Sequence, residues 1–348
     1  MRFKISKKWL AFFIVSLVVI VVVGFLTLRA LTGGEPLSLL SPGGEEIVKQ
    51  EPRIFDKYSF PALAARKFEG SEIVLEKILK EGDGFTSWVF SYKSDGRRIT
   101  GMANMPDSDS DSDSDGFPVV ILIRGFVPEE IYETGVGSQP MADFLAKEGF
   151  VTLAPDFLGF GGSDMPPAVG FLSPLADRFE KPVAVLNLLA SLETLPQADS
   201  QNIFFWAHSN GGQIALSVLE ITKRDIPTVL WAPVTKAFPY NLLHYSDEAE
   251  DQGKYLRKLV SEFEKDYDSD LFSIHNYFAD IVAPIQLHQG KLDVEVPVWW
   301  SDEFVTQMKG LGKEIKYFTY DEADHNMAPA WQQAAERSLG FYREFLVD

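Results

Sequence analysis

Apolar and polar positions along the chain fall into three regimes. Trp9 to Leu28 is an almost unbroken apolar run, interrupted only by Ser16, Gly24 and Thr27. Residues 29–52 carry Gly, Pro, Ser and Glu without periodicity. From residue 53 onward, short apolar runs alternate with stretches of helical period. A short helix is expected over residues 61–69. Three β-like runs follow, Ile73–Leu79, Phe85–Tyr92 and Arg98–Met105, separated by the hairpin signals Gly82-Asp-Gly84 and Ser94-Asp-Gly96. Beyond residue 117, strands are expected at Val119–Ile123, Phe150–Ala154, Ile203–Trp206, Thr228–Trp231, Ile285–Leu287 and Ile315–Thr319. Helices are expected at Ser138–Glu148, Leu175–Leu195, Ile214–Lys223, Trp300–Leu311 and Trp331–Leu346. In the last two, Trp300, Phe304, Met308 and Leu311 share one face, as do Trp331, Ala335, Leu339, Tyr342 and Phe345. Apolar strands alternating with helices predict an α/β fold, a mostly parallel sheet covered by helices on both faces.

Two segments break this rhythm. Asp107 to Asp115 alternates Asp and Ser. Such a run repels itself and buries nothing, so a solvated loop is expected. Calcium binding is the alternative, but no Gly turn or distal Glu completes a known loop pattern. Residues 234–282 sit between two strands where a short helix would suffice. Tyr255, Leu256, Leu259, Val260 and Phe263 give an amphipathic helix there. The segment reads either as an elaborated crossover or as a helical lid over a site.

The N-terminal run changes the picture of where the protein resides. About 20 apolar residues span a bilayer core. Arg2, Lys4, Lys7 and Lys8 precede the run, and Leu28-Arg29-Ala30 does not fit a signal-peptide cleavage site. The expectation is a cytoplasmic basic end (1–8), a single transmembrane anchor (9–28), a flexible stalk (29–52) and an extracytoplasmic domain (53–348). The lipid bilayer is then a partner through residues 9–28. The net charge is −18 with the basic end inside, so the exported part is strongly acidic and nucleic acid is not an expected partner. The chain has no Cys, which rules out disulfides and thiolate metal sites.

Candidate chemistry centres on Ile203-Phe-Phe-Trp-Ala-His-Ser-Asn-Gly-Gly212. A strand that becomes a helix within so few residues passes through a strained backbone. Ala207 and Gly211 flank Ser209 at spacing two and let the turn close. This is the nucleophile-elbow pattern G-x-S-x-G with Ala in the first Gly place, and it resembles the α/β-hydrolase superfamily. A serine hydroxyl needs a base to take its proton and an acid to orient that base. The His candidates are His208, His244, His275, His288 and His325. His208 adjoins the nucleophile and points elsewhere, and His288 lies on an expected strand. His325 follows a strand, on a loop where α/β sites gather. Asp293 likewise follows a strand, with Glu295, Asp321 and Asp324 as weaker alternatives for the acid. The order Ser209, Asp293, His325 is that of the superfamily. The amide of Asn210 is one expected oxyanion donor. Arg124-Gly-Phe-Val-Pro128 resembles the family's His-Gly-x-x-Pro loop, which implies Phe126 as the second donor, with Arg124 standing in the His place. Phe160-Gly-Gly-Ser-Asp164 resembles a further family segment and is read as a loop brace. The superfamily often inserts a lid where residues 234–282 lie.

Two stretches point further. Tyr92-Lys-Ser-Asp-Gly-Arg-Arg-Ile-Thr-Gly-Met-Ala-Asn-Met-Pro106 with Phe117-Pro-Val-Val-Ile is similar to the entry of the prolyl oligopeptidase (S9) catalytic domain. His288-Gln-Gly-Lys-Leu-Asp-Val-Glu-Val-Pro297, with Gly312-Lys-Glu-Ile-Lys-Tyr, resembles its C-terminal half. The resemblance covers roughly residues 85–346 and implies an α/β-hydrolase fold and a serine peptidase acting through an acyl-enzyme. About 55 residues between the apolar run and the first matching strand cannot hold the β-propeller found in many S9 peptidases. A carboxylesterase therefore stands as the alternative enzyme, and an inactive hydrolase-fold binding protein as the alternative of another class. The expected substrate is a peptide or a small ester. No P-loop, dinucleotide fingerprint or His-Cys cluster occurs, so no cofactor and no metal is implied.

Overall fold

A computed structural model describes residues 53–107 and 116–347. The expected anchor (9–28), the stalk and most of the Asp-Ser run lie outside the described residues. Among the described residues, no helix is long and apolar enough to cross a membrane.

Among the described residues, nine strands form one sheet: β1 (Val74–Glu81), β2 (Phe85–Ser94), β3 (Arg97–Pro106), β4 (Phe117–Ile123), β5 (Val151–Pro155), β6 (Ala198–His208), β7 (Thr228–Trp231), β8 (Ile285–Gly290) and β9 (Ile315–Tyr320). Their spatial order is β1-β2-β3-β5-β4-β6-β7-β8-β9. The first three strands and the β3–β5 pair are antiparallel, and every pairing from β5–β4 through β8–β9 is parallel. The described α-helices are α1 (Phe60–Ala64), α2 (Gln139–Lys147), α3 (Ser173–Ser191), α4 (Asn210–Thr222), α5 (Tyr240–Leu243), α6 (Lys254–Phe263), α7 (Val298–Gly310) and α8 (Trp331–Glu344). This is the α/β-hydrolase fold.

The central strands are apolar throughout because both of their faces are covered. Along β4, Val119, Ile121 and Ile123 join one core layer, while Val120 and Leu122 join the other. Along β6, Ile203, Phe205 and Ala207 face the first layer, and Phe204 and Trp206 the second. This is the period-two alternation of a pleated strand. Each buried Val, Leu, Ile or Phe among them contributes about 1.5–3 kcal/mol. The same burial fixes the register, and with it the C-terminal ends of β4, β6, β8 and β9, where the site loops begin.

Three expectations need correction. β6 begins at Ala198, five residues earlier than its apolar run, because Phe117 and Pro118 of β4 pair with Ala198 and Asp199 beyond the core. The early helix spans only Phe60–Ala64 rather than 61–69. In α7, Trp300, Phe304 and Met308 are buried as expected, but Leu311 caps the helix and is exposed.

Residues 234–282 carry α5, α6 and several 3-10 turns. On α6, Leu259, Val260 and Phe263 are buried. Phe263 meets Phe55, Phe179, Phe238 and Phe272 at centroid separations of 5.6, 5.7, 5.6 and 5.1 Å. Edge-to-face and tilted pairs of this kind add about 0.5–1.5 kcal/mol each beyond area burial. Tyr255 and Leu256 of the same helix instead face a cavity beside the elbow.

Candidate active site

A single residue joins β6 to α4. Ser209 has φ 55° and ψ −124°, outside the regions open to ordinary L-residues. Such strain costs on the order of 1–3 kcal/mol and persists only where neighbours enforce it. Here the Ser209 N–H donates to the Trp231 carbonyl at 3.0 Å. Its own carbonyl accepts from the N–H groups of Gly212 and Val234, both at 2.9 Å. Two glycines permit the close approach. A Cβ on Gly211 would stand 2.0 Å from the Ile123 carbonyl oxygen, and one on Gly125 would stand 2.7 Å from the Ser209 Cβ.

His325 lies on the loop between β9 and α8, with its Nδ1 2.9 Å from Asp293 Oδ2. Asp293 lies just past β8. Its Oδ2 also accepts from Gln289 Nε2 at 2.9 Å, while Oδ1 accepts the amides of Glu295 at 2.9 Å and Val296 at 2.8 Å. Burial alone would push the Asp293 carboxyl upward. The bonds from His325, Val296 and Gln289 outweigh it and hold the group below the usual carboxylate range. The weaker acid candidates sit otherwise. Glu295 faces the opposite ring nitrogen, with Oε2 3.5 Å from His325 Nε2. Asp321 pairs with Lys291 at 2.7 Å. Asp324 accepts the amides of Asn326 and Ala328 within its own turn.

His208 ties the His325 loop to the elbow. Its Nε2 lies 3.0 Å from the His325 carbonyl oxygen, and the two rings are 4.6 Å apart. Burial, followed by the neighbouring His325, lowers the His208 pKa to about 4, so it adds no charge beside His325 at neutral pH.

The loop after β4 brings Gly125 against Ser209 and places Phe126, whose ring is exposed, beside it. The Asn210 amide belongs to the first turn of α4, whose N–H groups have no intrahelical acceptor. Arg124 braces this loop from behind. It is buried, donating from Nη1 to the Gly125 carbonyl at 3.0 Å and from Nη2 to the Asp156 carbonyl at 2.9 Å. Its guanidinium lies 4.4 Å from the ring centroids of both Tyr132 and Phe160. The segment 160–164 is in turn fastened to β3, where the Arg98 amide donates to Asp164 Oδ2 at 2.7 Å and the Thr100 amide to Ser163 Oγ at 3.0 Å.

Beside the elbow opens a cavity of about 270 Å³. Its wall includes Gly125, Phe126 and Asn210, with Leu256 and Leu259 from α6. Sequence reasoning missed Arg178 of α3, which lines the same cavity. The only signal was an Arg at helical spacing from Leu175, on the stripe that packs toward the site.

His288 is fully buried on β8, between the Tyr320 hydroxyl at 2.7 Å from Nδ1 and Gln286 Oε1 at 2.8 Å from Nε2. Burial depresses its pKa to about 3. A depressed pKa means that the unfolded chain binds the proton first, from the ordinary value of 6.5 downward. The contribution is therefore complete above pH 6.5 and is lost progressively as the pH falls toward 3. In urea titrations between pH 7.5 and 4.5, His288→Gln is expected to be less stable than the wild type at pH 7.5. It should also show a shallower fall, by up to about 1.4 kcal/mol per pH unit. Identical slopes in the two proteins would remove His288 from the acid response.

Residues 138–347 match the model of the prolyl oligopeptidase family. No curated protein matches the sequence. Among solved structures, the fold is similar to an acetyl xylan esterase from Paenibacillus sp. R4 at TM-score 0.59 and 18% identity, covering 82% of this chain and 92% of that one. It is also similar to the Pyrococcus horikoshii acylaminoacyl peptidase at TM-score 0.55 and 18% identity, covering 76% and 42%. A puromycin-hydrolyzing peptidase of Mycobacterium tuberculosis matches at TM-score 0.58 and 16% identity, covering 76% and 40%.

Proposed function

The chain belongs to the prolyl oligopeptidase family, and from that membership we propose that it cleaves peptide bonds or esters through Ser209, Asp293 and His325. Ser209 Oγ attacks the substrate carbonyl while His325 Nε2 takes its proton. Asp293, bonded to Nδ1, fixes the tautomer and stabilises the imidazolium. The amides of Asn210 and Phe126 receive the developing oxyanion. His325 then protonates the leaving group, and water reverses the sequence on the acyl-enzyme. The observation that carries this reading is the one-residue elbow, which holds Ser209 strained beside Gly125 with Asn210 opening the following helix.

Peptidase and esterase activity share this chemistry. A cavity of about 270 Å³ lies near the lower end of the range for small-molecule pockets and favours a short acyl group, so the esterase reading stands beside the peptidase one. The solved relatives carry both descriptions, an acetyl xylan esterase and an acylaminoacyl peptidase. Residues 234–282 act as the lid, since α6 supplies part of the cavity wall. A fluorophosphonate probe is expected to label the protein at Ser209, and a screen of peptide and ester substrates then separates the two activities. No labelling of correctly folded protein would favour the inactive, binding-only alternative.

The proposal extends to place. Residues 9–28 anchor the protein, residues 1–8 stay in the cytoplasm, residues 29–52 form a stalk and residues 53–348 act outside the membrane. Membrane fractionation should recover the full-length chain in the pellet, released by detergent but not by high salt. Recovery of a soluble product beginning near residue 31 would show a cleaved signal instead.

A further inference from the structure

The cavity beside Ser209 receives the acyl side of a substrate. Its wall holds both expected oxyanion donors, Asn210 and Phe126, and no residue of the Asp293 or His325 loops. A leaving group must lie near His325 to be protonated, so what enters this cavity is the other half of the molecule.

The charges of that wall do not balance. From α3 it presents Asp177, Arg178 and Lys181. Lys181 pairs with Asp177 at 2.6 Å. Among the described residues, Arg178 has no carboxylate within ion-pair distance; Asp177 and Tyr245 act on it only at longer range, and its guanidinium lies 5.9 Å from the Phe238 ring centroid. Its Nη2 donates to Gln213 Oε1, a neutral acceptor, and its buried Nε has no partner. Arg124, also in the wall, is already engaged with backbone carbonyls and aromatic rings. Buried charges ordinarily find a counter-charge, and a guanidinium presents a fork of donors matched to a carboxylate. Burial lowers the Arg178 pKa to about 10, which leaves it charged at neutral pH.

Position along α4 sets the reach. Gln213, which holds the guanidinium, lies three residues after Asn210, about 4.5 Å further along the helix axis. The remaining wall near it is apolar, through Leu175, Ile214 and Leu259. We propose that Arg178 is a specificity-determining residue that binds a carboxylate at the far end of a short acyl chain, making half-esters or half-amides of small dicarboxylic acids the preferred substrates. This rests on the serine-hydrolase reading of the same site. The chain's overall negative charge would not by itself draw in such a substrate, so the preference is local to this cavity.

The test compares monoethyl glutarate with ethyl pentanoate, a neutral ester of similar acyl length, by acid release at constant pH. The wild type is expected to show a kcat/KM at least tenfold higher for monoethyl glutarate. Arg178→Gln should remove that preference, lowering kcat/KM for monoethyl glutarate at least tenfold more than kcat/KM for ethyl pentanoate. Arg178→Lys should retain part of the preference, because it keeps the charge without the fork. A purely structural Arg178 would instead lower both esters together. Equal or lower kcat/KM of the wild type for monoethyl glutarate overturns the proposal, even if both variants fail to fold. Fluorophosphonate labelling of Ser209 is measured on the same preparations. Labelling without the preference sinks this inference alone, and absence of labelling sinks the serine-hydrolase reading itself.

Discussion

Ser209→Ala is expected to abolish covalent labelling and to lower kcat by on the order of 10⁴-fold or more. The alanine removes the hydroxyl that the proposed mechanism uses as the nucleophile. The fold should survive, because what holds the turn is backbone: the bond to Trp231 and the bonds from Gly212 and Val234. Circular dichroism and a thermal melt close to the wild type would confirm that the loss is chemical. Turnover at the original rate would remove Ser209 as the nucleophile and the proposed mechanism with it.

His325→Ala should do nearly as much damage, since the hydroxyl then keeps its proton and the leaving group gets none. Asp293→Asn should be on the order of a hundredfold less harmful, because in the proposed mechanism Asp293 only orients the ring and stabilises its charged form. His208→Ala and His288→Ala are the controls. Both side chains are held in structural contacts, one to the His325 carbonyl and one between Tyr320 and Gln286, so both variants lose stability. Their folded fractions should still be labelled at Ser209. Near-normal turnover by His325→Ala, with loss in one control, would move the base elsewhere.

What could be read from the sequence was what local geometry dictates. A four-residue apolar strand, a serine between small residues and an immediate helix leave few backbone solutions, and β6–Ser209–α4 adopts one of them. The apolar runs of β4 to β8 marked a sheet buried on both faces for the same reason. Features that depend on distant parts of the chain were not legible. Arg124 stood out as a departure from a family pattern, but its contact with both Tyr132 and Phe160 requires two connections, the one after β4 and the one after β5, to meet. Arg178 looked like one more polar residue on a long helix until α4 and α6 closed around it. Glu295 and Asp293 are two residues apart, and no spacing rule says that one faces Nδ1 and the other Nε2 of the same imidazole.

The aromatic cluster around Phe55 bears on how the chain is made. Phe55 stands at the start of the described chain, yet its ring meets Phe179, Phe263 and Tyr267, and its amide donates to the Tyr267 hydroxyl 212 residues later. A ribosome adds about 5–20 residues per second, so that partner emerges on the order of ten seconds or more after Phe55. Phe179 emerges earlier, but until Phe263 and Tyr267 follow, this aromatic segment has left the ribosome with its cluster incomplete. The sheet's centre depends on the same delay, because β4 must wait for β6 before its second edge is closed. Domain formation is therefore a late event in synthesis, and the exposed early segments are where a holding chaperone would act.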